Sequence, residues 1–169
     1  MITMCCNTKK QTCDSVNYKE LNLKPVNTVL KLPNYIVTDT VKYGDVDNIF
    51  EYKVKSIDSS FVAYAGVKSY DLKPDAMPDI IHRMTSQKEQ VESGQSTMLL
   101  LIETFKNIDG VKVGYLKYLD QKRSRYEGRI FFYKGKKFVD IWLFEKYNSE
   151  KDNSNSTIDC VLGNINIKT

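Results

Sequence analysis

Apolar and polar residues alternate over several segments between residues 26 and 147, and this two-residue period is typical of β-strands. In residues 49–57, Phe50, Tyr52 and Val54 fall on one side and charged residues on the other. Pro33 cannot donate a ladder hydrogen bond, so we expect the first strand, which ends there, to lie at a sheet edge. The pattern predicts strands at 26–32, 49–57, 61–70, 98–105, 111–119, 125–133 and 137–147.

Apolar residues three and four positions apart predict an amphipathic helix over residues 75–92. Asp75 is placed to cap its start, and Gly94 to end it in a left-handed conformation. A short second helix is predicted over residues 156–163, capped by Ser156 and followed by a terminal strand at 164–168. The apolar face of the long helix comprises Met77, Ile80, Ile81, Met84, Lys88 and Val91.

The strand predicted at 137–147 is apolar on both of its faces. Phe138, Trp142 and Phe144 point to one side, while the residues between them are mostly aliphatic. A sheet that is open to water on one face shows clean polar alternation instead, so we expect both faces to be covered. We therefore predict an α+β fold, a twisted antiparallel sheet of about six or seven strands covered by the two helices.

The N-terminal segment differs from the rest of the chain. The 169 residues suit one domain, which we place at 25–169, with residues 1–24 as a disordered tether. Ile2-Thr3-Met4-Cys5 resembles the end of a bacterial lipoprotein signal, although Met4 departs from it and the basic start and apolar run are missing. Cys5 and Cys6 are the candidate lipid-attachment residues. The alternative is a disordered cytoplasmic terminus.

The four cysteines do not form a recognisable framework. Cys5, Cys6 and Cys13 crowd the N-terminus, and no Cys-x-x-Cys pair suggests zinc. We expect Cys160 to be a buried small hydrophobe on the short helix. The pattern predicts no metal site and no cofactor.

Catalytic candidates are few. His82 is the only histidine, and we expect it at the surface of the long helix. Four acidic residues lie on predicted strands, and we expect them to pair with Lys or Arg, Asp140 with Arg129 or Lys117. No nucleophile motif or phosphate-binding loop is present, so we predict no catalytic residue. The four acidic residues are Glu103, Glu127, Asp140 and Glu145.

Seven basic residues lie between residues 122 and 137, where Glu127 is the only counter-charge, and aromatic residues alternate with them. Such a mixture is typical of nucleic-acid surfaces. However, Arg125 and Tyr133 lie roughly 26 Å apart along one strand, so the charges form two groups and we expect no nucleic-acid partner. The groups are either solvated loops or contact sites for an anion or a partner. The candidate contact residues are Lys122, Arg123, Arg125, Lys134, Lys136 and Lys137.

The order of elements resembles the PsbP/Mog1-like superfamily. Three segments carry the resemblance: Lys31-Leu32-Pro33-Asn34-Tyr35, the turn and strand from Tyr133 to Val139, and the closing stretch from Ile158 to Ile167. The resemblance covers residues 25–168 as a pattern without a diagnostic motif. It implies the fold predicted above and a binding or accessory role, and it transfers no site residue.

We therefore predict a non-enzymatic domain that recognises another protein, through an aromatic sheet face or an exposed strand edge. We expect it at a bacterial cell envelope, held to the membrane surface by a lipid anchor, with a cytoplasmic location as the alternative. Two other functions stay open. One is a chaperone or immunity-type partner of a secreted effector, and the other is an enzyme of uncharacterised type.

Overall fold

The computed structural model describes residues 17–43, 49–57, 60–69, 79–94, 97–147 and 156–167. These residues form ten strands, two α-helices and a 3-10 turn at Lys24–Val26. The helices are α1 (Ile80–Gly94) and α2 (Thr157–Gly163). The strands are β1 (Tyr18–Leu23), β2 (Thr28–Pro33), β3 (Tyr35–Tyr43), β4 (Ile49–Ser56), β5 (Phe61–Ser69), β6 (Met98–Ile108), β7 (Val111–Asp120), β8 (Arg125–Lys134), β9 (Lys137–Lys146) and β10 (Asn166–Ile167).

Seven strands form one antiparallel sheet in the order β3-β4-β5-β9-β8-β7-β6. Strands β6, β7, β8 and β9 make a meander, and β5 joins it by pairing with β9. This main sheet and the two helices confirm the predicted α+β class. The meander strands lie close to the positions that the two-residue alternation predicts, because this alternation shows which side chains share a face of the sheet.

The two faces of the main sheet have different covers. On β7, Leu116 and Tyr118 pack with Ile80 and Met84 of α1, and we call this side the α1 face. Val113 and Tyr115, which alternate with them, belong to the larger cluster on the opposite side, the core face. Both faces of β7 are therefore packed, whereas Trp142 on the α1 face of β9 is 38% exposed. The predicted cover of both faces of β9 thus holds for its core face and only in part for its α1 face.

The core face is covered by a second sheet together with α2. This sheet has the order β1-β2-β10, and Leu30, Ile158 and Ile167 pack in one cluster with Ile141 of β9. The predicted short helix therefore shares the cover of this side with the small sheet. The prediction of an edge position for the first strand is wrong, since β2 is central in the small sheet and Pro33 is its last residue.

The predicted domain boundary at residue 24 requires correction. Residues 18–23 form β1, which pairs with β2 over six positions, and Leu21 and Leu23 are buried. The Tyr35 hydroxyl also donates a hydrogen bond of 2.8 Å to the Glu20 carbonyl. The alternation of apolar residues in β1 is short and lies among polar residues, so the sequence pattern does not predict this strand. Residues 1–16, including Cys5 and Cys6, lie outside the described residues.

Helix α1 begins at Ile80, later than the predicted start, and its first turn is closed by a bond of 3.1 Å from the Arg83 amide to the Asp79 carbonyl. The residues at 75–78 lie outside the described range. Ile80 and Met84 are buried as predicted, but Ile81 is 43% exposed because it lies about 100° around the helix from Ile80. In the described part of the chain, no helix combines the length and hydrophobicity that crossing a bilayer requires.

Helix α2 is held on the core face by buried polar contacts. Asp159 accepts hydrogen bonds from Lys117 at 2.6 Å, Tyr115 at 3.0 Å and Ser156 at 2.9 Å. Glu145 of β9 accepts a hydrogen bond of 3.2 Å from the Ile158 amide at the helix start. Ser156 occupies the predicted N-cap position, but its hydroxyl bonds to Asp159, so Glu145 satisfies the amide instead.

Cys160 is buried, but it is disulfide-bonded, so its predicted role as an unpaired hydrophobe is wrong. The other three cysteines of the chain lie outside the described residues. Pairing depends on two Cα atoms approaching within about 7 Å in space, which the spacing of cysteines in the sequence does not reveal.

Candidate functional site

The α1 face of the main sheet is only partly covered. Helix α1 packs over β7 and β8. Beside it, Tyr64 of β5 and Trp142 of β9 face each other in register and are 40% and 38% exposed. An exposed cluster of large aromatic side chains on a sheet is a mark of a binding surface.

These aromatic residues line a depression of about 560 Å³, which we call the aromatic groove. Its size falls within the range of sites that hold small ligands or peptide side chains. A smaller recess of about 250 Å³ shares Val62, Arg125 and Phe144 with it and extends toward Arg123 and Lys146. We call this the basic recess. The aromatic groove is lined by Val62, Tyr64, Ala65, Gly66, Arg125, Asp140, Trp142 and Phe144.

The rings of the groove contact one another, and each has a cation over it. The Tyr64 and Phe144 centroids are 5.9 Å apart in an edge-on arrangement, and those of Trp142 and Phe144 are 6.2 Å apart. The cations are Arg129 at 4.0 Å from the Trp142 centroid, Arg125 at 4.6 Å from Phe144 and Lys53 at 5.5 Å from Tyr64. Each ring therefore lies beside a cation, and two of these cations, Arg125 and Arg129, are in turn paired with Glu127 and Asp140.

Arg129 connects the groove to α1. Its guanidinium binds Asp140 through two hydrogen bonds of 2.9 Å and 2.5 Å, which confirms one of the two partners predicted for Asp140. It also donates a hydrogen bond to Gln87 of α1. The alternative partner, Lys117, pairs with Asp159 instead. Because Arg129 lies over Trp142, these contacts fix the position of the indole as well as that of the helix.

Of the predicted contact residues at the β7–β8 turn, Arg125 lines the aromatic groove and Arg123 lines the basic recess. Arg123 pairs with Asp120 at 3.2 Å, and Arg125 pairs with Glu127 at 2.5 Å. Asp120, which precedes the basic run in the sequence, is thus a second counter-charge. Lys122 is exposed in the same turn.

The other three predicted contact residues lie at the opposite end of the β8–β9 hairpin. Lys134, Lys136 and Lys137 line a separate depression of about 600 Å³ with Lys24. The Lys137 amino group donates a hydrogen bond of 2.5 Å to the Pro25 carbonyl, which joins the two sheets. The structure therefore separates the two basic groups, as the strand length predicted.

The catalytic candidates do not converge. His82 is exposed on α1. Glu103 pairs with Lys88 at 2.9 Å, Glu127 and Asp140 pair with arginines, and Glu145 is occupied at the start of α2. Among the residues that the structure describes, no three His, Cys, Asp or Glu side chains are placed to hold a metal ion.

The sequence placed Tyr64, Trp142 and Phe144 in strands but did not identify the groove. Whether an apolar face is covered depends on which strands α1 crosses, and that is a tertiary property. One signal was present, since Asp140 shares a side with Phe138 and Trp142. An acidic residue on an otherwise aromatic face indicates a boundary between buried and open surface.

Comparison with protein-family models and with curated proteins finds no match. Among solved structures, cyanobacterial PsbP (CyanoP) from Synechocystis sp. PCC 6803 is similar, with a TM-score of 0.61 and 11% identity over 90% of this chain and 94% of that chain. The Ran-binding protein Mog1p of Saccharomyces cerevisiae is similar with a TM-score of 0.53 and 12% identity, over 90% and 96%. The chain has the PsbP/Mog1-like fold. At such low identity, these similarities show the fold alone.

Proposed function

We propose that this chain is a non-enzymatic binding domain that recognises another protein through the aromatic groove. The observation that carries the proposal is the exposure of Tyr64 and Trp142 beside arginine side chains. Trp, Tyr and Arg are the residue types that contribute most to binding energy at protein interfaces. Mog1p, which shares the fold, is described as a Ran-binding protein, so the fold is compatible with this kind of role.

A sheet face suits this role better than a sheet edge. The outer strands of the main sheet are β3 and β6. Each has a register irregularity, between Val37 and Asp39 in β3 and between Leu100 and Ile102 in β6. Bulges interrupt the hydrogen-bond ladder that an added strand would need, and they protect natural edges from pairing.

Site-specific photo-crosslinking in the native host tests this proposal. A photoreactive phenylalanine analogue placed at Tyr64 is expected to form a covalent adduct with one or a few proteins. The same analogue at Leu99, a residue of similar exposure on β6, serves as the matched control. Equal adducts from both positions, or none from position 64, would contradict the proposal.

We further propose that the domain is tethered to a bacterial envelope through lipid on Cys5 or Cys6. The disulfide at Cys160 supports an oxidising compartment over the cytoplasm, because cytoplasmic thiols are kept reduced. The test is incorporation of a fatty-acid probe in the native host by the full-length protein and by its Cys5→Ser and Cys6→Ser variants. We expect the wild-type protein to incorporate the probe and one of the two substitutions to abolish this incorporation. A wild-type protein that incorporates no probe would contradict the proposed lipid anchor.

A further inference from the structure

We propose that the depression between the 3-10 turn at Lys24–Val26 and the β8–β9 turn binds a phosphate group, carried either by a small molecule or by the headgroup of a membrane lipid. We call this depression the lysine cleft. It shares no lining residue with the aromatic groove, so it is independent of the proposed function. The lysine cleft is lined by Lys24, Pro25, Val26, Asn27, Lys134, Gly135, Lys136 and Lys137.

The lysine cleft carries positive charge that no carboxylate of its lining offsets, since four of its lining residues are lysines and none is acidic. Lys24, Lys136 and Lys137 form no ion pair with a carboxylate in the described part of the chain. In the basic recess, by contrast, Arg123 and Arg125 are paired with acidic residues. An anion can therefore contact these three lysines without displacing a carboxylate from them.

Hydrogen bonds hold the two turns of the lysine cleft in place. The Lys137 amino group donates a hydrogen bond of 2.5 Å to the Pro25 carbonyl, which ties the β8–β9 hairpin to the 3-10 turn. This carbonyl is neutral, so the bond positions the ammonium group without cancelling its charge, and it uses one of three donors. The 3-10 turn is closed by a bond of 3.2 Å from the Asn27 amide to the Lys24 carbonyl, and Val26 anchors it in the core. The chain therefore shapes the cleft before any ligand binds.

The residue types of the lining favour a phosphate group over a carboxylate. Lysine binds phosphate as a compact point charge, whereas a carboxylate is recognised best by the planar fork of arginine, and no arginine lines the cleft. A phosphate group offers several anionic oxygens, so it can contact more than one lysine at once. The lining also has no aromatic residue on which a nucleic-acid base could stack.

Amide NMR of the full chain during a titration with sodium phosphate tests the site. Sodium chloride at equal ionic strength and sodium acetate, a carboxylate, are the comparison salts. We expect saturable shifts of the Asn27, Gly135 and Lys136 amides that are half-complete at about 1–10 mM phosphate. Acetate is expected to bind at least about tenfold more weakly, and chloride to cause no saturable shift.

A vesicle experiment distinguishes the two sources of the phosphate group. The full chain is sedimented with vesicles of phosphatidylcholine alone and with vesicles in which about half of the lipid is anionic phosphatidylglycerol. Greater sedimentation with the anionic vesicles, lost at high salt, would identify a lipid headgroup as the ligand. Equal sedimentation with both vesicles, together with binding of free phosphate, would identify a small phosphate-bearing molecule.

Charge reversal separates the lysine cleft from the general positive charge of the chain. Lys24→Glu combined with Lys136→Glu is expected to weaken binding of phosphate, or of anionic vesicles, by about tenfold or more. Lys122→Glu combined with Lys146→Glu changes the net charge equally at the far end of the β8–β9 hairpin, roughly 30 Å away at about 3.3 Å per residue. This control is expected to have less than about a twofold effect. All four side chains are exposed, so we expect urea unfolding of both variants to match the wild type.

Three results would overturn the inference. The first is the absence of saturable binding both to phosphate, up to about 50 mM, and to anionic vesicles. The second is acetate binding as tight as phosphate binding, and the third is an equal loss of binding in the two double variants. None of these results bears on the aromatic groove, which crosslinking from position 64 tests separately.

Discussion

Tyr115 and Tyr118 lie on one strand, face opposite sides of the main sheet, and differ in what their hydroxyl groups contact. The Tyr115 hydroxyl donates a hydrogen bond of 3.0 Å to Asp159 beneath α2. The Tyr118 hydroxyl is buried on the α1 face, and no hydrogen-bond partner for it is present among the described residues. A buried polar group without a partner costs free energy, so the two hydroxyls are expected to have opposite effects on stability.

Removing each hydroxyl separately tests this contrast. Tyr118→Phe is expected to raise the free energy of unfolding by up to about 1 kcal/mol, because it removes a buried group that has lost its hydration. Tyr115→Phe is expected to lower it by about 1–2 kcal/mol, because Asp159 loses a donor. Urea unfolding measures both; a clear loss for Tyr118→Phe would show that its hydroxyl has a partner in solution.

The same residues predict sensitivity to alkaline pH. Burial, followed by the carboxylates of Glu92 and Glu103, raises the pKa of Tyr118 to about 12, and burial beside Asp159 raises the pKa of Tyr115. In the unfolded chain a tyrosine ionises near pH 10. Above that pH the unfolded state releases the proton while the folded state keeps it, so stability falls as pH rises.

For Tyr118 this loss begins near pH 10 and continues to about pH 12, at about 1.4 kcal/mol per pH unit. Urea unfolding of the wild type and of Tyr118→Phe, measured from about pH 9 to about pH 11.5, isolates the contribution of Tyr118 from that of other groups. We expect the difference in stability to widen in favour of the variant as pH rises. Parallel curves would mean that Tyr118 ionises normally in the folded protein.

Close packing between α2 and β8 sets the position of the short helix. A Cβ at Gly128 of β8 would lie 2.4 Å from Cγ2 of Ile158, whose side chain is fully buried. A β-branched side chain cannot move its methyl groups away without shifting the helix. The glycine is therefore required by the approach of α2 to the sheet.

We expect Gly128→Ala to destabilise the domain by about 1–3 kcal/mol through overpacking. Gly66→Ala, also in a strand of the main sheet, is the control, because its Cβ meets nothing closer than 3.8 Å. Thermal unfolding of the two variants should show a clear fall in Tm for the first and little change for the second. Equal effects would show that strand propensity, and not the contact with Ile158, decides the outcome.

The periodic elements of the fold could be predicted from sequence, and the elements fixed by tertiary contact could not. The strands of the meander and the buried side of α1 follow from spacing alone, as Ile80 and Met84 show. The sequence pattern does not predict strand β1, because Leu21 and Leu23 are its only buried aliphatic residues. Its burial comes from pairing with β2, which no local pattern encodes.

The candidate site was predictable only in its parts. The basic residues at the β7–β8 turn and the aromatic residues of β9 were recognised separately, but their proximity depends on strand register. Arg125 reaches Phe144 because β8 and β9 are adjacent and antiparallel. Arg125 and Phe144 come together only in the folded sheet. The sequence therefore suggests that an interaction surface exists but does not show where it lies.

At the scale of the whole molecule, the disulfide at Cys160 is a covalent constraint on α2. The other three cysteines of the sequence lie in the first thirteen residues, so a bond to any of them would close a long loop and is expected to stabilise the folded state by about 2–4 kcal/mol. Reduction should therefore lower Tm, and peptide mapping without reductant should recover the Cys160 peptide linked to an N-terminal one. Cys160→Ala, which cannot form the bond, should show no response to reductant; an unlinked Cys160 peptide would contradict the pairing.

The central claim is that the aromatic face of the main sheet beside α1 is open. Quenching of Trp142 fluorescence by acrylamide, a small neutral molecule, tests it directly, because the chain has one tryptophan and it lies in the groove. The 38% exposed indole predicts efficient quenching of the folded protein, close to that of the chain unfolded in urea. An indole that acrylamide quenches only weakly in the folded protein would contradict the account.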